Sequence, residues 1–250
     1  MGWEEDYRRL SDTFGYSIKK DSDARDLLLT LLPETPDWDE LQEEIEGEVA
    51  YVFGAGPSLQ IDIAVLKKHD LLTDALTVAA DGAAGALIDA RITPNIIVTD
   101  LDGPEETLIK ANKRGAKFVV HAHSDNTENM KEIIPKIKPP IYPTTQVAPK
   151  EPARNYGGFT DGDRAVRITG ELKAATIILA GMDFGEKIGT HSGQKDPAAK
   201  KKKLDYGKKL LEEYASKRRA TILNVTAKGD PILGAPRIIP SALSTLLGVI

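Results

Sequence analysis

The sequence contains no cysteine. Such a chain cannot form disulfides, use a catalytic thiolate, or hold zinc or an iron–sulfur cluster through sulfur. It also has no apolar run long enough to cross a membrane, and its first residues, MGWEEDYRRL, are acidic and unlike a basic secretory leader. We therefore expect a cytoplasmic protein with no membrane partner, in which any metal is held by oxygen or nitrogen.

The sequence also carries fewer positive than negative charges. Lys and Arg number 33 against 38 Asp and Glu, which gives a formal net charge of -5. This balance argues against broad nucleic-acid binding. With 41% hydrophobic residues in 250, the chain is long enough for one large, well-filled α/β domain with a small appendage.

The hydrophobic pattern changes near residue 48. Residues 1–47 are acidic and have helical spacing, which predicts an N-terminal helical cap. Residues 48–250 are expected to form the catalytic domain, because short apolar strands there alternate with helix-sized segments. The predicted strands are VAYVF, ALTVAA, NIIVT, KFVVHA, ATIILAG, ATILNV and residues 141–144, and helices are predicted at 59–68, 83–90, 105–114 and 127–136. This order predicts an α/β fold with a doubly wound, mainly parallel sheet and flanking helices.

Aspartates recur at or just beyond the ends of the predicted strands and in the loop that follows them: Asp81, Asp100, Asp102, Asp125 and Asp163. In an open α/β sheet, ligands bind in the crevice beyond the carboxyl ends of the strands. Carboxylates gathered there are hard oxygen ligands that favour Mg²⁺, which commonly bridges substrate phosphates. The pattern therefore predicts a metal-phosphate enzyme.

The first predicted strand ends in FGAGPSL. Gly54 and Gly56 allow close backbone approach, and a helix starting near Ser58 would offer N–H groups to a phosphate. The third glycine of the dinucleotide fingerprint is missing and Pro57 lacks a donor, so a purely structural turn would use the same residues.

The VTDLDG segment limits the enzyme classes to which the chain could belong, but it does not identify one. Two aspartates in D-x-D at a strand end can supply two metal ligands from one turn. The same motif occurs in glycosyltransferases that use nucleotide-sugar diphosphates and in phosphatases of the haloacid dehalogenase type. A structural role as a helix N-cap would explain Asp102 or Asp125, but not Asp100.

Further along, NYGGFTDGDRA combines two glycines, the aromatic ring of Phe159 and the charges of Asp161, Asp163 and Arg164 at a predicted helix start. Such a loop could hold an aromatic substrate, although Arg164 and Asp161 could equally form a surface ion pair. The lysine-rich segment after it predicts an amphipathic helix from which one or two of Lys200 to Lys203 could reach a triphosphate.

Taken in order, GAGPSL, ADGA, VTDLDG, H-x-H-x-D-N, TTQ and GGFTDGDRA resemble the MptE-like family of archaeal 6-hydroxymethyl-7,8-dihydropterin pyrophosphokinases. The resemblance covers roughly residues 49–225. The aspartate motifs are also similar to those of thiamin pyrophosphokinase, which implies a related fold. Ser124 departs from the family pattern, in which glycine is usual at that position.

The resemblance implies that the chain transfers diphosphate from ATP to the hydroxymethyl group of 6-hydroxymethyl-7,8-dihydropterin and releases AMP, in tetrahydromethanopterin or folate-type pterin synthesis. It implies that Asp100, Asp102 and Asp125 hold Mg²⁺, with Asp81 beside them. Arg164 would act as a cationic helper in catalysis. ATP and the pterin are the expected partners, and the sequence is compatible with a homodimer.

The remaining roles follow from the same resemblance. Gly54, Gly56 and Ser58 would contact the ATP phosphates. The 2-amino-4-oxo edge of a pterin presents paired donors that suit a carboxylate, so Asp161 or Asp163 would bind that edge while Phe159 stacks on the ring. The alternative function is a metal-dependent glycosyltransferase with a D-x-D motif.

Overall fold

The computed structural model describes residues 3–185, 197–217 and 220–248. Three N-terminal helices, α1 (Trp3–Phe14), α2 (Ile18–Leu31) and α3 (Trp38–Ile45), precede the sheet. The strands are β1 (Val49–Phe53), β2 (Leu76–Ala80), β3 (Ile96–Thr99), β4 (Lys117–Ala122), β5 (Ile141–Thr145), β6 (Thr176–Ala180) and β7 (Thr221–Asn224). The helices after β1 are α4 (Leu59–Lys68), α5 (Asp81–Asp89), α6 (Glu105–Lys113), α7 (Thr127–Ile133), α8 (Asp161–Glu171), α9 (Pro197–Ser216) and α10 (Pro240–Leu247).

The seven strands form one sheet in the order β5-β4-β3-β2-β1-β6-β7, and every neighbouring pair is parallel. The chain winds outward from β1 to β5 on one side and then returns to place β6 on the other side of β1. Because the connections diverge there, a crevice opens beyond the carboxyl ends of β1 and β6. The predicted doubly wound parallel sheet is confirmed, and each predicted strand is present.

Both faces of the sheet are buried, as parallel sheets require. Along β1, Tyr51 and Phe53 pack into a cluster that includes residues of α2, α4, α5, α6 and α7. Ala50 and Val52 face the opposite cluster, which includes residues of α3, α8 and α9. Near-continuous apolar strands therefore follow from burial on both sides. Within the described ranges, no helix combines the length and the apolar character that a membrane span requires.

The N-terminal helices share this core. Leu28 of α2 packs in one cluster and Trp38 of α3 in the other. The fully buried Asp21 of α2 accepts hydrogen bonds from the Tyr7 hydroxyl, the Ser124 backbone N–H and the Gln146 side-chain amide. The predicted helical segment is thus tied to the loops that follow β4 and β5, and it helps to fix their position.

Two element boundaries differ from expectation. Asp81 is the first residue of α5, so its carboxylate sits at a helix N-terminus directly after β2. The helix predicted over 127–136 ends at Ile133 and continues as a 3₁₀ turn, Ile134–Lys136, because Pro135 cannot donate to the helical ladder.

Candidate active site

A cavity of about 1030 Å³ lies at the carboxyl edge of the sheet. Its walls come from the loops after β1, β3, β4, β5 and β6, from the end of β2, from α5 and the N-terminus of α8, and from α6 and α9. Drug-sized ligands occupy pockets of about 300–1,000 Å³, so this space has room for two substrates. The predicted convergence of the strand ends is therefore observed as one continuous cavity.

Three carboxylates of the cavity wall, called here the central carboxylates or central group, lie close together. Asp81, Asp100 and Asp102 each offer an oxygen, and these oxygens lie within 4.8 Å of one another. Leu101, between the two loop aspartates, is buried and has a φ of 63°, a left-handed conformation that is costly for a leucine. Strained backbone of this kind persists where the surroundings over-determine it, and here it sets the direction of both carboxylates.

Neighbouring side chains hold in place the loop that carries Asp100 and Asp102, called here the aspartate loop. The Thr99 hydroxyl donates to Asp81 Oδ1 at 2.6 Å. Asn126 donates its amide to the Asp100 carbonyl at 2.7 Å, and Asn129 donates to the Leu101 carbonyl at 2.9 Å. The carboxylates are thus positioned from β3 and α7 at once, which is the preorganisation that a metal site needs.

His123 supports Asp100 directly. Its Nδ1 accepts the Asp125 backbone N–H at 3.2 Å, so the ring proton lies on Nε2, which is 3.1 Å from Asp100 Oδ2. The imidazole therefore donates to Asp100 and orients it. The neighbouring His121 is fully buried, with Nδ1 3.1 Å from the Thr144 hydroxyl, and burial lowers its pKa well below the usual value. His121 does not line the cavity.

The carboxylates differ in their preference for a proton. Burial raises the pKa of Asp81 to about 7, and the negative charges of Asp100 and Asp102 add to this effect, while the Thr99 hydrogen bond opposes it. Burial also acts to raise the pKa of Asp100, but the His123 hydrogen bond and the charge of Arg164 outweigh it and hold that pKa well below its usual range. Such crowding of carboxylates is relieved when a cation binds between them.

Asp125 stands apart from this group. It lies in the short 3₁₀ turn after β4 and is exposed at the edge of the cavity. Among the described residues, the carboxylates close enough to share a metal are Asp81, Asp100 and Asp102, without Asp125. The sequence predicts all four aspartates as metal residues, with Asp81 as a nearby ligand. In the structure Asp81, and not Asp125, lies close to Asp100 and Asp102, because α5 begins at Asp81.

The FGAGPSL loop also differs from its predicted role. The Gly54 and Gly56 N–H groups donate to the carbonyls of Ala180 and Gly181 at 2.9 and 2.8 Å. The Ser58 N–H and hydroxyl both donate to Asp183 Oδ2, at 3.1 and 2.7 Å, and Ser58 is fully buried. Contrary to expectation, these donors are not free for an ATP phosphate, which would first have to displace the partners they already have.

Those two glycines instead allow β1 and β6 to approach. A Cβ on Gly54 would meet the Met182 sulfur at 2.7 Å, and one on Gly56 would collide with Asp183 Oδ2 and the Gly181 carbonyl. The glycine spacing therefore serves the packing of this loop against the end of β6. Nothing in the local sequence distinguishes this use of glycine from a phosphate loop.

In the FTDGDRA segment, Asp163 has a structural role. Its oxygens accept the Phe159 N–H at 2.8 Å and the Thr160 N–H and hydroxyl at 2.6 Å each, which closes a capping box at the start of α8. Asp163 is fully buried and does not line the cavity. The structure therefore corrects the expectation that this carboxylate is available to a substrate.

Asp161 and Arg164, unlike Asp163, line the cavity. Arg164 Nη1 donates to Asp161 Oδ1 at 2.8 Å, and the two side chains are only 5% and 19% exposed, so this pair is not the surface ion bridge considered from the sequence. Burial and the negative charge of Asp100 raise the pKa of Asp161 well above its usual value, and Arg164 opposes this. The guanidinium thus lies in the field of the central carboxylates.

An aromatic wall completes the cavity. Tyr16, between α1 and α2, lines it together with Phe159, and their ring centroids are 6.2 Å apart. Lys203 of α9 places its ammonium 5.7 Å and 5.9 Å from these two rings. Lys200 also lines the cavity. Tyr16 is a site residue that sequence reasoning missed, because only the fold brings the N-terminal segment over the strand ends.

Residues 28–189 match the family model described as 6-hydroxymethylpterin diphosphokinase MptE-like. The chain belongs to this family. A protein of Methanothermobacter thermautotrophicus named 6-hydroxymethyl-7,8-dihydropterin pyrophosphokinase is 40% identical over 219 residues, which cover 84% of this chain and 92% of the relative. Proteins of the same name from Pyrococcus furiosus and Methanocaldococcus jannaschii are 40% and 37% identical, covering 89% and 86% of this chain and 98% and 95% of the relatives.

The fold also resembles a solved structure, that of the MAf glycosyltransferase from Magnetospirillum magneticum, with a TM-score of 0.52 and 16% identity. The match covers 82% of this chain and 37% of that protein. At this identity the likeness concerns the fold alone. The α/β architecture is therefore shared with a glycosyltransferase, while the sequence relatives belong to the pyrophosphokinase family.

Proposed function

We propose that this chain is a 6-hydroxymethyl-7,8-dihydropterin diphosphokinase that transfers diphosphate from ATP to the pterin hydroxymethyl group and releases AMP. Membership of the family and the names of the three relatives support this reaction. The observation that links this reaction to the site is the group of three convergent carboxylates in the wall of a cavity large enough for two substrates.

In this proposal Asp81, Asp100 and Asp102 hold Mg²⁺. Their oxygens fit the ion because Mg²⁺ prefers hard carboxylate ligands and is commonly bound by a few of them together with substrate phosphates. When bound, the ion would neutralise charge on the diphosphate that is transferred. His123 keeps Asp100 oriented, and Thr99 does the same for Asp81.

The other walls bind and position the substrates. Arg164 is held by Asp161 and supplies a positive charge next to the carboxylates, where the transferred phosphates would lie. Lys200 and Lys203 of α9 border the same space and suit the remaining phosphates. Phe159 and Tyr16 offer rings on which a flat heterocycle can stack. The protein's task is to align the pterin hydroxyl with the β-phosphorus, because phosphoryl transfer relies on positioning and electrostatics.

The test is the identity of the products. With ATP, Mg²⁺ and 6-hydroxymethyl-7,8-dihydropterin together, mass spectrometry should show AMP and the pterin diphosphate carrying both the β- and γ-phosphorus. Formation of ADP, or of AMP without the pterin, would refute the proposal. A panel of sugar nucleotides serves as the comparison, since a glycosyltransferase would be stabilised by one of them and a pyrophosphokinase would not.

A further inference from the structure

Asp183, just beyond β6, is a buried carboxylate with one occupied and one free oxygen. Its Oδ2 accepts both donors of Ser58. Its Oδ1 is buried and has no hydrogen-bond partner among the residues that the structure describes, although the residue lines the cavity. An acceptor left in this state is costly, and the cost is removed when a donor arrives from the cavity.

The other carboxylates considered for the substrate are already engaged. The oxygens of Asp163 already accept the hydrogen bonds of the capping box of α8, and Asp161 is paired with Arg164. Asp81, Asp100 and Asp102 form the central group. Asp183 is therefore the buried cavity-lining carboxylate, among the residues the structure describes, whose second oxygen has no assigned task; Asp89, Glu106 and Asp125 also line the cavity but are exposed.

Its surroundings indicate what kind of donor fits. Pro57, Met182 and Phe184 line the cavity beside it, and Met182 and Phe184 are each only 5% exposed. These apolar groups, with the flat ring of Phe184 among them, suit a planar ring better than a hydrated cation. The unpartnered Oδ1 of an ionised carboxylate can accept hydrogen bonds but cannot donate one, so it matches an edge made only of donors. The 2-amino group and adjacent ring N–H of a dihydropterin form such an edge, whereas the corresponding edge of adenine alternates donor and acceptor.

The position along the sheet agrees with this orientation. Asp183 follows β6 and Asp100 follows β3, which are three strand spacings apart, or roughly 14 Å. A pterin carries its amino group and its hydroxymethyl group at opposite ends of the bicycle. With the amino edge at Asp183, the hydroxyl points along the cavity toward the central carboxylates, where the phosphates would lie.

We infer that Asp183 is the specificity-determining residue for the acceptor substrate, and that its Oδ1 accepts hydrogen bonds from the donor edge of the pterin. This inference rests on the proposed function for the identity of the heterocycle. Gly56 is required on the same grounds, since any side chain there would collide with Oδ2.

The test is Asp183→Asn. The asparagine carbonyl can keep both Ser58 hydrogen bonds, while its NH₂ group replaces the free acceptor by donors. We expect the KM for the pterin to rise about 10- to 100-fold, with the KM for ATP within about twofold and the melting temperature nearly unchanged. An analogue with an oxo group in place of the 2-amino group should gain relative to the pterin in this variant. Asp89→Asn is the matched control, since it makes the same carboxylate-to-amide change at an exposed residue of the cavity wall, and it should not alter the acceptor preference.

An unchanged pterin KM in Asp183→Asn, or a selective loss of ATP affinity, would overturn the inference. Wild-type protein gives a second measurement that needs no variant: the 2-oxo analogue should bind at least about tenfold more weakly than the pterin, and equal binding would also overturn it. Direct binding of the pterin, followed by its fluorescence, separates this result from the proposed function, which fails if no AMP is formed even though the pterin binds.

Discussion

Gly103→Ala is a sensitive test of the central carboxylates because it adds a single methyl group next to them. Gly103 does not have a positive φ, so alanine fits its backbone conformation. A Cβ there would lie 2.9 Å from the carboxyl carbon and Oδ1 of Asp81 and closer still to Oδ2, whereas ordinary contact begins at 3.4 Å. The Asp81 carboxylate must therefore move by at least about half an ångström.

A movement of that size should weaken metal binding. The 2.6 Å hydrogen bond from Thr99 resists the shift, and Asp81 is only 4% exposed, so the carboxylate cannot simply turn into solvent. Mg²⁺ demands near-octahedral geometry, and misplacing a reacting group by about 1 Å costs about 100-fold in rate. We expect Gly103→Ala to weaken Mg²⁺ binding and to lower kcat/KM for AMP formation, each by about 10- to 100-fold. Overpacking should reduce stability by about 1–3 kcal/mol.

The assays are calorimetric titration with Mg²⁺ in the presence of a non-hydrolysable ATP analogue, initial rates of AMP formation, and thermal unfolding. Gly85→Ala is the control, since Gly85 borders the same cavity in α5 and a Cβ there meets only the Thr107 methyl at 3.8 Å. That variant should keep its activity and gain up to about 1 kcal/mol from helix propensity. Wild-type metal affinity and turnover in Gly103→Ala would show that Asp81 is not a ligand.

Three further predictions follow from the same structure. Asp102→Asn should weaken Mg²⁺ binding about tenfold or more, while Asp125→Asn should change it by less than about twofold, because Asp125 lies outside the central group; equal losses in the calorimetric titration would return Asp125 to the metal set. Asp163→Ala removes the acceptors of three hydrogen bonds at the start of α8 and should lower the free energy of unfolding by about 2 kcal/mol in urea titrations, and a loss of pterin affinity without any loss of stability would contradict this. Burial raises the pKa of Asp62 from 3.8 to about 6, so the folded state takes up a proton between these values and Asp62 should add about 1 kcal/mol of stability on going from pH 7 to pH 5; an NMR titration of its carboxyl should show a midpoint near pH 6, and a midpoint near 4 would refute the assignment.

The Asp62 prediction has a geometric basis as well. Ser58 Oγ lies 2.7 Å from Asp183 Oδ2 and 3.0 Å from Asp62 Oδ2, but a hydroxyl has one proton to donate. If that proton goes to Asp183, a protonated Asp62 can donate to Ser58 in turn. The chain of hydrogen bonds then links α4 to the loop after β6 without leaving two acceptors facing each other.

Much of the fold could be predicted because its signals are local. Apolar strands alternating with helix-sized segments give a parallel sheet with both faces buried, and all seven strands were found where this pattern placed them. The strand-end positions of Asp81, Asp100 and Asp102 follow from the same pattern. Parallel strands bring their carboxyl ends to one edge, so a meeting of strand-end carboxylates could be expected there, although not that Asp81 rather than Asp125 would lie beside Asp100 and Asp102.

The partners of each donor and acceptor were decided only by the tertiary structure. Ser58 and Asp183 are 125 residues apart, and the hydrogen bonds between them take away the N–H that the glycine-rich loop would otherwise offer to a phosphate. Tyr16 reaches the cavity because α1 and α2 pack beside the loops after β4 and β5. Hydrophobic periodicity does not record such pairings, since it depends on neighbours along the chain.

The sequence by itself therefore determined the sheet, the edge at which the site lies and the class of ligand that its carboxylates prefer. The tertiary structure decided which carboxylates are available to a ligand. Asp81 joins the central group, the oxygens of Asp163 accept the hydrogen bonds of a helix cap, and Asp183 Oδ1 has no partner among the described residues. The physical reason is that the sequence specifies only where the carboxylates are along the chain. The remaining capacity of each carboxylate to accept hydrogen bonds depends on which distant donors the fold has already brought to it.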